Sequence, residues 1–227
     1  MLATHWPLFG LTVTRGSVTL RLPTDNEAAC LAGVAADGVH AEGERPFLTP
    51  WTERGARSRS RFVLQERWRD LAGWQVDAWR LGLGVFVDDE PIGVVTLRAR
   101  DFPVAREVTT SSWLGLEHQG RGHGTTARIG VLALAFDHLG AVEAITEVFQ
   151  DNAASQGVSR KLGYRPDGIS RDVRDGEVVV SDRLRLRRAD WEASRHGEGV
   201  SVTGLDPCGS MFGLEEGFSP PALHELT

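Results

Sequence analysis

Alternation with a period of two and spacing with a period near 3.6 divide the chain into short blocks. Residues 18–22 form a brief apolar run that predicts a first strand. Thr24 and Glu27 then stand at capping-box spacing, and Leu31, Val34 and Ala35 continue with helical spacing up to Gly38. Residues 43–50 read as a loop closing in the phrase PFLTPWT, and a second helix is predicted over 57–72 with Leu64, Trp68 and Leu71 on one stripe. Residues 81–87 and 92–99 read as a hairpin across Asp88, Asp89, Glu90 and Pro91. No histidine or further carboxylate stands near that acidic trio in sequence, so it reads as a polar turn rather than a metal site. Residues 107–116 form a fourth strand running straight into LEHQGRGHGTTARIG.

Past that stretch, Ile129, Leu132, Phe136 and Leu139 share one face of a helix over 125–139, with Gly140 as its stop. Residues 142–149 are a buried-type strand. Asn152 caps a further helix in which Val158 and Leu162 share a face, and Gly163 ends it. Residues 169–173 and 178–186 flank Asp175-Gly176, a strong hairpin signal. In the last strand Val178, Val180, Leu184 and Leu186 share one face, and Arg183, Arg185 and Arg187 form a row on the other that reads as a solvated sheet face. Residues 189–195 predict a short helix anchored by Trp191. From residue 196 glycine, serine and proline thin out any pattern. The expectation is an α/β (α+β) fold over residues 1–195, a mixed sheet of about seven strands with helices on both faces. Residues 196–227 are expected to be a tail, loosely ordered or packed on a neighbouring subunit of a homo-oligomer.

Composition narrows the class. The longest apolar run, residues 131–136, is far too short to span a membrane, and the start MLATHWPLFG lacks the pattern of a secretory signal. Cys30 and Cys208 stand far apart, which suggests neither a zinc site nor a disulfide framework, so a cytoplasmic, metal-free protein is expected. A net charge of −6 argues against broad nucleic-acid binding, so any anionic ligand must be met locally. The chain has a single lysine, Lys161, which leaves few options for lysine chemistry.

The stretch LEHQGRGHGTTARIG is where an anion could be met. A helix N-terminus presents unpaired N–H groups and a positive dipole end, and glycine lets backbone approach a ligand closely. Gly120, Gly122 and Gly124 precede the helix, Thr125 and Thr126 add hydroxyls, and Arg121 and Arg128 add charge. A P-loop needs a lysine that is absent here. The dinucleotide fingerprint would need a glycine where Thr125 stands. A plain flexible turn would carry the same glycines.

Gln119, Gly122 and Gly124 form Gln-x-x-Gly-x-Gly between a strand and a helix, and Asn152-Ala-Ala-Ser155 is followed by Lys161-Leu-Gly-Tyr164. The two blocks, in this order, resemble the motifs of the GNAT N-acyltransferase superfamily, in particular its RimJ/RimL-like branch. HWPLF, PFLTPWT, DFP and DNAASQGVSRKLGY resemble the succinyl-CoA transferases of this fold. The resemblance covers roughly residues 18–191. It implies an acyl-CoA cosubstrate, succinyl-CoA or acetyl-CoA, and an amine acceptor. It also implies that the fourth and fifth strands splay so that the pantetheine arm inserts between them. Leu114, Leu116, Gln119, Gly120, Arg121, Gly122, His123, Gly124, Thr125, Asn152, Ser155 and Arg160 would then bind the cofactor, with the pyrophosphate on the N–H groups of Arg121 through Thr126. A backbone N–H at Leu114 or Gly115 would receive the thioester oxygen.

The resemblance also implies an acid and a base. Many relatives carry a tyrosine where this chain has Ser159, so Ser155 is the candidate donor to the departing thiolate, or only a pantetheine ligand. Thr109 stands where a base glutamate is often found, and Glu107, on the same side of the strand, is the candidate base. His118 and His123 flank the loop. On the acceptor side, Arg45 is the first candidate for gripping a succinyl carboxylate and His40 the second, with Trp51 beside them. Two other readings stay open: N-terminal acetylation of a ribosomal protein, and a CoA-binding regulatory module without turnover.

Overall fold

The computed structural model describes residues 1–214. One helical turn, α1 (Leu2–His5), leads to two short strands, β1 (Thr12–Arg15) and β2 (Val18–Arg21), paired across Gly16. Helices α2 (Asp25–Asp37) and α3 (Ala56–Ala72) follow. The hairpin of β3 (Ala78–Val87) and β4 (Glu90–Arg100) turns on Asp88 and Asp89, both at positive φ. The single turn α4 (Phe102–Ala105) leads into β5 (Glu107–Leu114). Helix α5 (His123–Ala133) widens into a π-turn over Leu134–His138 and is followed by β6 (Glu143–Phe149). Helix α6 (Ala153–Lys161), the hairpin of β7 (Arg165–Arg174) and β8 (Glu177–Arg187), helix α7 (Arg188–Ser194) and β9 (Ser201–Thr203) complete the order.

The strands form one mixed sheet in the order β7-β8-β6-β5-β4-β3-β2-β1-β9. Only β5 and β6 pair in parallel; every other neighbouring pair is antiparallel. Among the described residues the sheet has nine strands rather than about seven. The extra two are β1 and β9, four and three residues long, too short for alternation to stand out in sequence. They pair with each other, so residues 201–203 return to this chain's own sheet. A 3-10 turn at Asp206–Phe212 then buries Cys208 and Phe212. Residues 196–214 are therefore not loosely ordered; the remainder of the expected tail, 215–227, lies outside the described residues.

Two cores lie on opposite faces. The larger includes Ile129 and Leu132 of α5, Phe136, Leu162 after α6, and Leu83, Val95, Val108 and Leu114 of the sheet. The smaller joins Leu31 and Ala35 of α2, Val63 of α3 and Trp51, with Val94 and Trp113 packed against it. Neighbouring strand residues face opposite ways, so Val94 and Val95, or Trp113 and Leu114, split between the two cores. Trp68, expected on the buried stripe of the second helix, is 54% exposed; α3 turns Val63 inward instead.

The predicted capping box at Thr24 forms in both directions. The Glu27 N–H donates to Thr24 Oγ1 and the Thr24 N–H to Glu27 Oε2. Both oxygens of Glu27 also accept from the Arg21 guanidinium, at 2.7 and 2.8 Å. Chiefly through that fork, the Glu27 carboxyl is held at about 2, below its ordinary 4.5. A depressed carboxyl contributes stability that is present above the ordinary value and is lost as pH falls through the folded one. Glu27→Gln should therefore flatten the part of a melting-temperature profile that falls between about pH 4.5 and 2; an unchanged acid limb would refute the assignment.

Candidate functional site

Strands β5 and β6 stay paired only from Glu107↔Glu143 to Thr109↔Ile145, although β5 runs on to Leu114 and β6 to Phe149. Beyond that point they part into a V, as the resemblance implied. The two strands are parallel, so both open ends lead at the same edge into a helix N-terminus: β5 into α5, β6 into α6. The mouth of the V thus has two positive helix ends.

The backbone inside the V follows from register. The Gly115 N–H donates to Ile92 O of β4 at 2.9 Å. In an antiparallel ladder only alternate residues bond to a given neighbour. Residues 115, 113, 111 and 109 therefore point their backbone groups at β4, while 114, 112 and 110 point theirs into the V. Gly115 is thereby excluded as the thioester donor, and Leu114 and Ser112 remain. The Thr110 carbonyl accepts from Thr146 Oγ1 at 3.3 Å and closes the apex. The Leu114 carbonyl accepts from Gln119 Nε2 at 2.9 Å near the mouth.

At that mouth Gly122 caps α5 with no side-chain hydrogen bond, so the first N–H groups of the helix stay open. Gly120 and Gly122 have φ of +74° and +86°, and a Cβ on either would meet nothing within 4 Å. Those angles strain any L side chain. An open row of donors beside bare backbone suits a pyrophosphate. Among the described residues Arg121 and Arg160, both exposed, form no ion pair and are available for a further phosphate. His123 and Thr125 stand in the first turn of α5. The Gln119 side chain is engaged elsewhere: Nε2 bonds Val39 O at 2.8 Å as well as Leu114 O, tying the loop to the end of α2 and β5. Leu116 is likewise anchored through its N–H, to Gly38 O at 2.9 Å. On the opposite lip Asn152 Oδ1 accepts from the Ser155 N–H at 3.0 Å, the expected cap, and the half-buried Ser155 hydroxyl stands at that helix's first turn.

Several residues expected at the site are engaged elsewhere. Glu107 sits at the closed end of the V, seven residues from Leu114, and accepts from Arg185 Nη1 at 3.0 Å. Five residues of strand, roughly 16 Å, separate it from Ser112 in the middle of the V, and its carboxylate is already engaged by Arg185. Arg185 also pairs with Glu143 and Asp167, and Arg183 with Asp167, so the arginine row is an ion-pair network rather than a bare solvated face. Arg45 already pairs with Glu53 and, at 3.1 Å, with Asp175. Its guanidinium fastens the α2–α3 loop to the β7–β8 hairpin and is not a vacant carboxylate fork. Arg174 reinforces the staple by pairing with Glu53 and donating to Arg45 O at 2.8 Å.

Trp51 is core, stacked on Phe62 at 4.9 Å and edge-on to Trp113 at 5.7 Å. His40 Nδ1 stands 2.8 Å from Ala41 O, and a carbonyl can only accept, so the proton is on Nδ1. Nε2 then accepts from the Thr52 hydroxyl at 2.8 Å. Next to the staple, Phe149, Gln150, Asp151, Arg174, Asp175 and Glu177 line a cleft of about 400 Å³ at the end of β6.

Sequence reasoning assigned Arg128 to the loop's charge, but it is buried beneath the sheet, one turn into α5. Its Nη1 donates to Thr110 Oγ1 at 2.9 Å and its Nη2 to Ser112 Oγ at 3.2 Å. The available signal was its place among Ala127, Val131 and Leu132 on the apolar side of the helix. Ser112 had no signal beyond its parity with Leu114. Among the described residues no group of three or more histidine, cysteine or acidic side chains could hold a metal, and no helix is long and apolar enough to cross a membrane.

The family model described as "Acetyltransferase (GNAT) domain" matches residues 17–165. Solved structures share the fold at low identity. A RimL ribosomal L7/L12 α-N-protein acetyltransferase in complex with coenzyme A is 14% identical, with a TM-score of 0.63 over 78% of this chain and 97% of that one. RimJ from Mycobacterium smegmatis, in complex with CoA-disulfide, is 18% identical, with a TM-score of 0.58 over 82% and 92%. The microcin C7 self-immunity acetyltransferase MccE, in complex with acetyl-CoA and AMP, is 17% identical, with a TM-score of 0.58 over 75% and 92%.

Proposed function

The chain belongs to the GNAT acetyltransferases, and from that membership we propose that it transfers an acyl group from a CoA thioester to an amine by direct attack in a ternary complex. The observation that carries this reading is the V itself. β5 and β6 stop pairing after Thr109 and Ile145, and the uncapped, glycine-led N-terminus of α5 stands at the mouth they open. A pyrophosphate on that helix end directs the pantetheine arm down the V, where backbone groups of β5 await a partner. The Ser112 N–H is the donor for the oxyanion that forms when the amine attacks, and the Leu114 N–H is left for the pantetheine arm that passes it. Holding both reactants in one cleft contributes most of the remaining rate.

The donor is acetyl-CoA or succinyl-CoA. The family favours acetyl. Phrases such as DNAASQGVSRKLGY favour succinyl, but Arg45, engaged by Glu53 and Asp175, lends that choice no support. The acceptor amine enters by the cleft at Phe149, Asp151 and Glu177. A protein N-terminus, the substrate named for the RimL structure, is the first acceptor to try.

Release of free thiol from acetyl-CoA and succinyl-CoA, with small amines and short peptides as acceptors, tests the assignment. Thiol release that depends on the amine is expected. Arg45→Ala should slow both donors alike, because it loosens the loop rather than a carboxylate grip; a loss confined to succinyl-CoA would restore the fork. Thermal stabilisation by ATP or NAD with none by CoA would overturn the acyltransferase reading.

A further inference from the structure

Arg128 is 5% exposed, yet among the described residues it has no carboxylate partner. Thr110 and Ser112 hydroxyls take its Nη atoms, and its Nε meets no acceptor. The Tyr164 hydroxyl, buried as well, completes the surroundings, 3.5 Å from Thr110 Oγ1. Burial disfavours both charges, pushing the Arg128 guanidinium down and the Tyr164 phenol up. Glu147 of β6 is on the opposite face, since Thr146 and Val148 face the main core. A guanidinium buried without an anion is costly. This one stands against the wall of a cleft in which an anion is generated.

Its position along the cleft is specific. Leu114 is beside the mouth, with its Cδ1 3.5 Å from where a Cβ on Gly124 would be. Thr110 is at the apex, where the strands rejoin. Ser112 lies midway, its backbone N–H and C=O both turned into the V. With phosphates at Gly122, the arm passes Leu114 and brings the thioester level with Ser112. The Ser112 hydroxyl accepts from Arg128, so its own proton remains to donate.

We propose that Ser112, polarised by the buried Arg128 guanidinium, receives the departing thiolate of the acyl donor. The amine nitrogen bonds to the acyl carbon and gives up one proton to water. The carbon–sulfur bond breaks and its electron pair leaves on sulfur. The Ser112 O–H then holds the thiolate by a hydrogen bond, and Arg128 acts through Ser112 as a positioning residue. The role that a tyrosine fills in many relatives, and that Ser159 cannot, is met from the opposite wall of the cleft: the Ser159 hydroxyl is fully buried and unbonded.

The inference rests on the CoA reading of the V, and the test separates the two. CoA binding is measured first by calorimetry, and the thiol of bound CoA is then titrated by its thiolate absorbance. In the parent protein the bound thiol should titrate below the roughly 8.5 of a free thiol. Ser112→Ala should return it to the free value and lower kcat roughly 10- to 100-fold, the range for a hydrogen bond to a charged group, with CoA affinity kept. Ser112→Thr should restore both, and Arg128→Lys should keep part of the shift. CoA that binds with an unshifted thiol in the parent, or a Ser112→Ala protein with parental kcat, overturns this inference alone. A protein that binds no CoA overturns the acyltransferase reading with it.

Discussion

Gly122→Asp is expected to weaken acyl-CoA binding by about 100-fold or more, equivalent to about 2.7 kcal/mol, while the protein stays folded. The residue caps α5 with φ at +86° and with open space where its Cβ would be, so the new side chain meets no protein atom. Its carboxylate would occupy the N–H groups that the phosphates need and repel a polyanion held there. The cost to the fold is the left-handed backbone, about 1–2 kcal/mol and less for aspartate than for most residues. Gly124→Ala is the matched control: its Cβ would make only ordinary contact with Leu114, 3.5 Å away. Calorimetry with CoA, beside melting curves, separates the two. A Gly122→Asp protein that binds CoA within about threefold of the parent, under 0.7 kcal/mol, would show that the phosphates lie elsewhere.

The reason this loop was legible and much of the acceptor side was not is physical. A glycine loop at a helix start is a local device: backbone angles, caps and spacing are written in consecutive residues. The Thr24–Glu27 box, the Asp175–Gly176 turn and the Asn152 cap were legible for the same reason. Arg45 and Glu107 look vacant in sequence because a partner of each is distant in the chain, although Arg45 also pairs with the nearby Glu53. Asp175 lies 130 residues from Arg45, and Arg185 lies 78 from Glu107. An arginine seeking a ligand and one already paired look alike until the sheet brings the carboxylates in. Arg128 erred the other way: next to a phosphate loop in sequence, it reads as charge for the anion, yet helical geometry turns it under the sheet.

Removing one ring from the returning segment should produce the largest change in stability, because that segment closes the main core. Phe212 is fully buried, with its ring edge-on to Trp79 at 5.1 Å and to Trp74 at 5.6 Å. Trp74 Nε1 donates to Met211 O at 3.0 Å, so the backbone at this point is fixed as well. The route to this position leaves no slack: Gly204 has φ of +71°, and a Cβ there would lie 2.1 Å from Gly10 O. Phe212→Ala removes a ring packed edge-on against two stacked tryptophans, a change that costs about 3–5 kcal/mol. Domains of this size lose roughly 2–4 °C per kcal/mol, so the melting temperature should fall by about 6–20 °C. Acyl-CoA affinity should change little at temperatures where the variant is folded, because the V lies at β5 and β6, across the sheet from β1 and β9. A fall of less than about 2 °C, under 1 kcal/mol, would mean that residues 196–214 do not hold this core together and that the ordered domain ends near residue 195 after all.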